Sequence, residues 1–144
     1  MTPSIQKELL VEASFAKHWK LFCIMLPTIE QKKISKPILR CTNRGTRTAG
    51  LYYRNQELVE IEISYIPDAC ITAGKLIDDV EETIAHEIAH HITRKLYPLA
   101  KQAHGPEFRS VMQAIGYDGS TYHTMNPKAA KRRAIAAKDE LFQL

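Results

Sequence analysis

Four of the chain's six histidines lie between positions 86 and 104, and two of them share the string His86-Glu87-Ile88-Ala89-His90. On a helix, residues four apart lie about 40° apart around the axis and one turn along it, so both imidazoles can reach one cation. Glu87 follows the first histidine and projects toward the same place. A carboxylate beside a metal-held water can accept its proton and later hand that proton to a leaving amine. Two helical histidines with this intervening glutamate form the zinc-helix pattern with Glu as general base.

A catalytic zinc site takes three protein ligands and leaves one position for water. The arrangement whose third histidine lies six residues past the second is excluded, because Leu96 stands there and Thr93 stands where a glycine is required. Two candidates remain downstream. Glu107 is the nearest acid, and His104 opens the string His104-Gly105-Pro106-Glu107-Phe108. Pro98 breaks the first helix, so the chain can turn back and present His104, with Gly105 allowing a sharp bend. Tyr122 and His123 follow in a loop and are candidates for a second oxyanion donor. Glu107 is equally readable as a partner that orients His104 or as an acid favoured in a first helical turn.

These residues need elements to hold them. Val80, Ile84, Ile88, Ile92 and Leu96 recur every four residues and give the histidine helix an apolar back, with Asp78 or Asp79 as its cap. Ala85 and Ala89 permit close packing. Pro106 opens a second helix, with Phe108, Val111, Met112 and Ile115 on one face and Gly116 as its stop. Thr2-Pro3-Ser4 starts an N-terminal helix bearing Phe15, Trp19, Phe22 and Leu26 and ending near Pro27. Residues 28–36 read as a polar connection. Residues 37–43, 49–53 and 57–65 read as strands. In the last, Val59, Ile61, Ile63 and Tyr65 alternate with Glu60, Glu62 and Ser64, the pattern of a sheet with one covered face. Together they predict a small antiparallel meander, and the class α+β.

The segment 83–91 followed by His104-Gly105-Pro106-Glu107-Phe108 resembles the SprT-like (Spartan-related) zinc metallopeptidases. Thr48-Ala49-Gly50 before a strand such as 60–64 is similar to the segment preceding that family's active helix. The resemblance covers about residues 5–116. It implies a zincin-like fold, one Zn²⁺ held by His86, His90 and His104, Glu87 as catalytic base, and a protein or peptide substrate, with an association with DNA as a further implication. The four-cysteine zinc ribbon of many members is missing, as are the long tails of the eukaryotic ones.

Composition sets the outer limits. With 144 residues, 44 % hydrophobic and 25 % charged, the chain reads as one globular domain, residues 1–144, with a basic extension over 117–144. A chain of this size does not need a metal to hold its fold. The longest apolar stretch, 21–26, is far short of a membrane span, and Lys7 and Glu8 interrupt any secretory signal. Cys23, Cys41 and Cys70 are odd in number and widely spaced, which fits a reducing, cytoplasmic or nucleoid-associated setting. The net charge of +4 permits nucleic-acid contact without demanding it. Lys128, Lys131, Arg132 and Arg133 are the residues to make such contact, against the plainer reading of a solvated helix face. Likewise His18 reads as ordinary surface, His91 as structural or solvent-facing, and Glu81 and Glu82 as helix-start acids. Two rivals stand beside the peptidase: a non-enzymatic DNA-associated module with a structural or vestigial zinc site, and a self-processing or toxin-like peptidase with a narrow target. Glu87 argues against the former, since a structural site has no use for it.

Overall fold

A computed structural model describes residues 1–45 and 47–119. Tyr122, His123 and the basic residues Lys128, Lys131, Arg132 and Arg133 lie outside the described residues. The class is α+β: helices packed on a small mixed sheet of three strands. Helix α1, Pro3–Met25, starts where Thr2 accepts a hydrogen bond from the Ile5 N–H and proline fills the first turn. A short helix α2, Thr28–Gln31, lies within the segment expected to be a plain connection, and its Ile29 is buried.

Strands β1, Ile38–Thr42, β2, Gly50–Tyr53, and β3, Leu58–Glu62, assemble in the order β1-β3-β2. Strand β2 pairs antiparallel with β3, but β1 pairs parallel with it. The expected antiparallel meander is therefore corrected to a mixed sheet. Strand β3 lies between β1 and β2, so β1 and β2 are the two edges of the sheet. The expectation of one covered face is corrected with it, because all five residues of β3 are buried. Residues Ile63–Tyr65 leave the strand as a single 3₁₀ turn.

Two acids thus sit buried in a central strand, and their register partners explain how. Arg40, opposite Glu60 in the parallel pair, donates to it at 2.9 and 2.6 Å. Thr42, opposite Glu62, donates at 2.8 Å, and the Arg44 and Gly45 N–H groups donate to the same carboxylate. Burial works against the Glu62 charge, but hydrogen bonds from Ser64, Thr42, Arg44 and Gly45 outweigh it and hold its pKa down at about 2.

After helix α3, Ala69–Ala73, the long helix α4, Asp78–Leu96, runs through the middle of the molecule. Its N-cap is Ile77, without a side-chain cap bond; Asp78 and Asp79 lie inside its first turn, where the dipole favours them. The apolar back meets α1, and Ile84, Ile88 and Ile92 are wholly buried. The face bearing the histidines is covered too, by β2 on one side and by helix α5, Pro106–Ala114, on the other. Val11, Phe15 and Phe22 of α1, Val59 and Ile61 of β3, and Phe108, Val111 and Met112 of α5 join the same core. Among the described residues no helix is long and apolar enough to cross a membrane.

His18 is not surface, contrary to expectation: it is 2 % exposed. Its Nδ1 lies 2.8 Å from the Ser14 carbonyl and its Nε2 3.0 Å from the Tyr117 hydroxyl. Glu81 is more than a helix-start acid, since it accepts from the Ser14 hydroxyl at 2.9 Å and pairs with Lys17. The cluster ties α1 to α4 and to the chain just beyond α5.

Candidate metal centre

His86 and His90 project from adjacent turns of α4, and the loop past Pro98 returns the chain so that His104 meets them. The three Nε2 atoms form a nearly equilateral triangle. His86 to His104 is 3.1 Å, His86 to His90 is 3.2 Å, and His90 to His104 is 3.0 Å. Gly105 does not supply a special bend there, since its φ of −77° and ψ of −167° suit any residue. It supplies room: a Cβ would come within 3.3 Å of Gln102 and of Glu107.

The triangle fits a shared cation better than hydrogen bonding among the rings. Each neutral imidazole nitrogen is either a donor or an acceptor, so at most two of the three contacts can be hydrogen bonds. A cation takes all three lone pairs at once. Tetrahedral zinc with Zn–N near 2.0–2.1 Å separates its nitrogen ligands by about 3.3–3.4 Å, close to the spacing present. Burial, with a further contribution from His104, pushes the His90 pKa down to about 4, and burial lowers that of His104. Both rings therefore stay neutral at pH 7, as ligands must. Phe108 packs against all three rings at centroid distances of 4.8, 4.7 and 5.0 Å. Tyr52 stacks on His90, with an interplanar angle of 15°.

Glu87 is 2 % exposed, and its Oε2 has no hydrogen-bond partner among the described residues. Burial alone pushes its pKa up to about 8. A buried carboxyl oxygen without a partner is costly and rare outside functional sites. Strand β2 makes space for it: the Cα of Gly50 faces the side chain so closely that a Cβ would lie 2.8 Å from Thr83 Cγ2 and 3.0 Å from Glu87 Cγ. Glu87, His90 and His104 all line a cleft of about 420 Å³.

Glu107 is not part of the histidine cluster. It lies in the first turn of α5, half-buried, and no hydrogen bond joins it to His104 among the described residues. His91, adjacent to His90, is buried and structural. Its Nε2 donates to the Ser35 carbonyl at 2.8 Å, leaving Nδ1 to accept from the Tyr52 hydroxyl at 2.8 Å.

The sequence did not single out Tyr52, Gly50 and Phe108 as site residues. Phe108 had a signal, four residues past His104 on an amphipathic helix. Gly50 stands in Thr48-Ala49-Gly50, a string that carries part of the family resemblance, but Tyr52 had no signal, because its place depends on which edge of the sheet meets α4.

A family model described as the SprT-like family matches residues 21–129, about three quarters of the 144-residue chain. No curated protein and no solved structure matches.

Proposed function

The chain belongs to the SprT-like family, and from that premise we propose that it is a zincin-like, zinc-dependent metallopeptidase acting on proteins associated with DNA. The observation that carries the proposal is the triangle of three imidazole nitrogens beside the buried Glu87 carboxyl, whose Oε2 has no partner among the described residues. His86, His90 and His104 would hold the ion, which when bound would make a coordinated water acidic and polarise the substrate carbonyl.

Glu87 takes a proton from the attacking water as the new C–O bond forms. Its carboxylic acid then gives that proton to the amide nitrogen as the C–N bond breaks. Burial alone favours the protonated acid, and a cation held by the neighbouring imidazoles would favour the carboxylate that takes the proton, so the two opposing influences would let the group serve both halves of the exchange. Gly50 leaves the side chain room, and Phe108 keeps the rings in place. Among the described residues strand β2 pairs on one side, with β3. Its other edge offers backbone groups to an extended substrate lying along the cleft that Leu51 and Tyr52 line. In this reading residues 1–144 form one domain with its core over about 5–116. Tyr122, His123 and the basic residues of the extension keep the roles given to them above as part of the proposal.

The test is zinc content and cleavage of a DNA-binding protein, with and without DNA, for the wild type and Glu87→Gln. The variant is expected to keep its zinc and lose cleavage by about 100-fold or more. A variant that cleaves as well as the wild type ends the assignment of Glu87. A wild type that holds zinc and binds DNA, yet cleaves nothing, favours the non-enzymatic module instead.

A further inference from the structure

One wall of the cleft carries positive charge that the reaction does not use. Arg94 lies four residues beyond His90, one turn further along the same face of α4. Arg54 stands just past the end of β2, and Lys101 comes from the loop before His104. All three line the cleft together with Glu87, His90 and His104. None of the three cations forms an ion pair among the described residues. The nearby Glu57 is already paired with Lys95.

The head of Arg94 is also held. It donates to the Arg54 carbonyl and to the Tyr52 hydroxyl, the same hydroxyl that fixes His91. Two neutral acceptors orient a guanidinium without neutralising it, and a guanidinium has five N–H donors, so it keeps donors free. A pre-oriented, unneutralised fork is suited to a carboxylate, which it can bind through two parallel hydrogen bonds. Leu51, Tyr97 and Pro98 add apolar or neutral surface; Glu87 lines the same cleft and Glu57 feels the Arg94 charge, but neither forms an ion pair with the guanidinium among the described residues.

We propose that this cleft selects peptide segments carrying an acidic side chain, with Arg94 as the specificity-determining residue and Arg54 and Lys101 supporting it. A nucleic-acid phosphate is the competing anion. The concave wall favours the peptide, because the cations sit around a cleft that runs into the histidine centre rather than along a convex stripe that a nucleic-acid backbone could track. The proposal deepens the metallopeptidase reading and rests on it for the direction in which the peptide lies.

The test measures binding directly. Fluorescent peptides with both ends blocked, identical except for Asp against Asn at one position, are titrated into the zinc-loaded protein, and cleavage is followed in parallel. The wild type is expected to bind the Asp peptide about tenfold more tightly at low salt, the difference shrinking as salt rises. Arg94→Gln should bring the two peptides within about twofold. The exposed double substitution Arg54→Gln with Lys101→Gln should lower the preference without touching the Arg94 anchor, which guards against a variant that merely misfolds. Equal affinities in the wild type, or a preference that survives both sets of substitutions, overturn the proposal. So does an oligonucleotide that binds through these three residues and is not displaced by the Asp peptide. The two readings fail separately. Asp preference without cleavage removes the hydrolase and leaves the acidic subsite, whereas cleavage without preference removes the subsite alone.

Discussion

His104 is the candidate ligand that the spacing leaves open, and it is the one whose removal says most about the centre. His86 and His90 are carried by one helix, so they stay neighbours whatever the loop does. His104 arrives across a proline break, and its Nε2 closes both remaining sides of the triangle at 3.1 and 3.0 Å. Replacing it with alanine leaves a two-histidine site on an intact helix. Zinc affinity in competition with a chromophoric chelator is expected to fall by about 100-fold or more, beyond the range for losing a mere orienting partner. Unchanged affinity would mean that another group closes the site. Gly50→Ala tests the opposite wall. Its methyl group has nowhere to go but into Thr83 and Glu87. Overpacking of this kind costs about 1–3 kcal/mol, and the displaced carboxyl should lower kcat more than zinc affinity. Equal kcat in the two proteins would show that the contact has slack.

Among the elements, helices were legible because their signals are local. Prolines and three- and four-residue apolar spacing mark the long helices α1, α4 and α5 in the chain itself, and the two histidine strings lie on α4 and before α5, whereas the short α2 and α3 carry no such repeat. The sheet was less legible because strand order is decided by partners distant in sequence. Glu60 and Glu62 looked solvent-facing, and only the register with Arg40 and Thr42 explains how they can be buried. His18 was misread for the same reason: its partners Glu81 and Tyr117 lie 63 and 99 positions away. The His18 cluster carries a prediction for the joint between α1, α4 and α5. Burial lowers the pKa of His18 despite the opposing pull of Ser14 and Glu81. A histidine whose folded pKa lies below its unfolded value of 6.5 binds more protons when unfolded. Stability is therefore lost as pH falls below about 6.5, at no more than about 1.4 kcal/mol per pH unit for one proton. Thermal unfolding of the metal-free protein between pH 7 and pH 5 should show a slope to which the buried His90, His91 and His104 also contribute, and His18→Gln should make it shallower by up to about 1.4 kcal/mol per pH unit. Parallel slopes for the two proteins would mean that other groups set the acid sensitivity.

At the scale of the whole molecule, the question is whether the ion holds the fold or only serves the site. The buried cluster runs continuously from α1 through β3 and α4 to α5, and none of its members is a candidate ligand. The clasp of Ser14, His18, Glu81 and Tyr117 and the buried Glu62 network also close without a cation. Chelated protein should therefore keep its far-UV circular dichroism and still unfold in one cooperative transition. Zinc should then act by mass action on a fold that already exists. At a free concentration 100 times its dissociation constant it adds about 2.7 kcal/mol. For a chain of this length that corresponds to a rise in Tm of about 5–11 °C, growing with the logarithm of zinc concentration. Glu87→Gln should show a comparable rise, because the three imidazoles remain, while His104→Ala should show a much smaller one at the same zinc concentration. Loss of the cooperative transition on chelation would place the ion among the elements that build the molecule, and the separation of scaffold from chemistry argued here would fail with it.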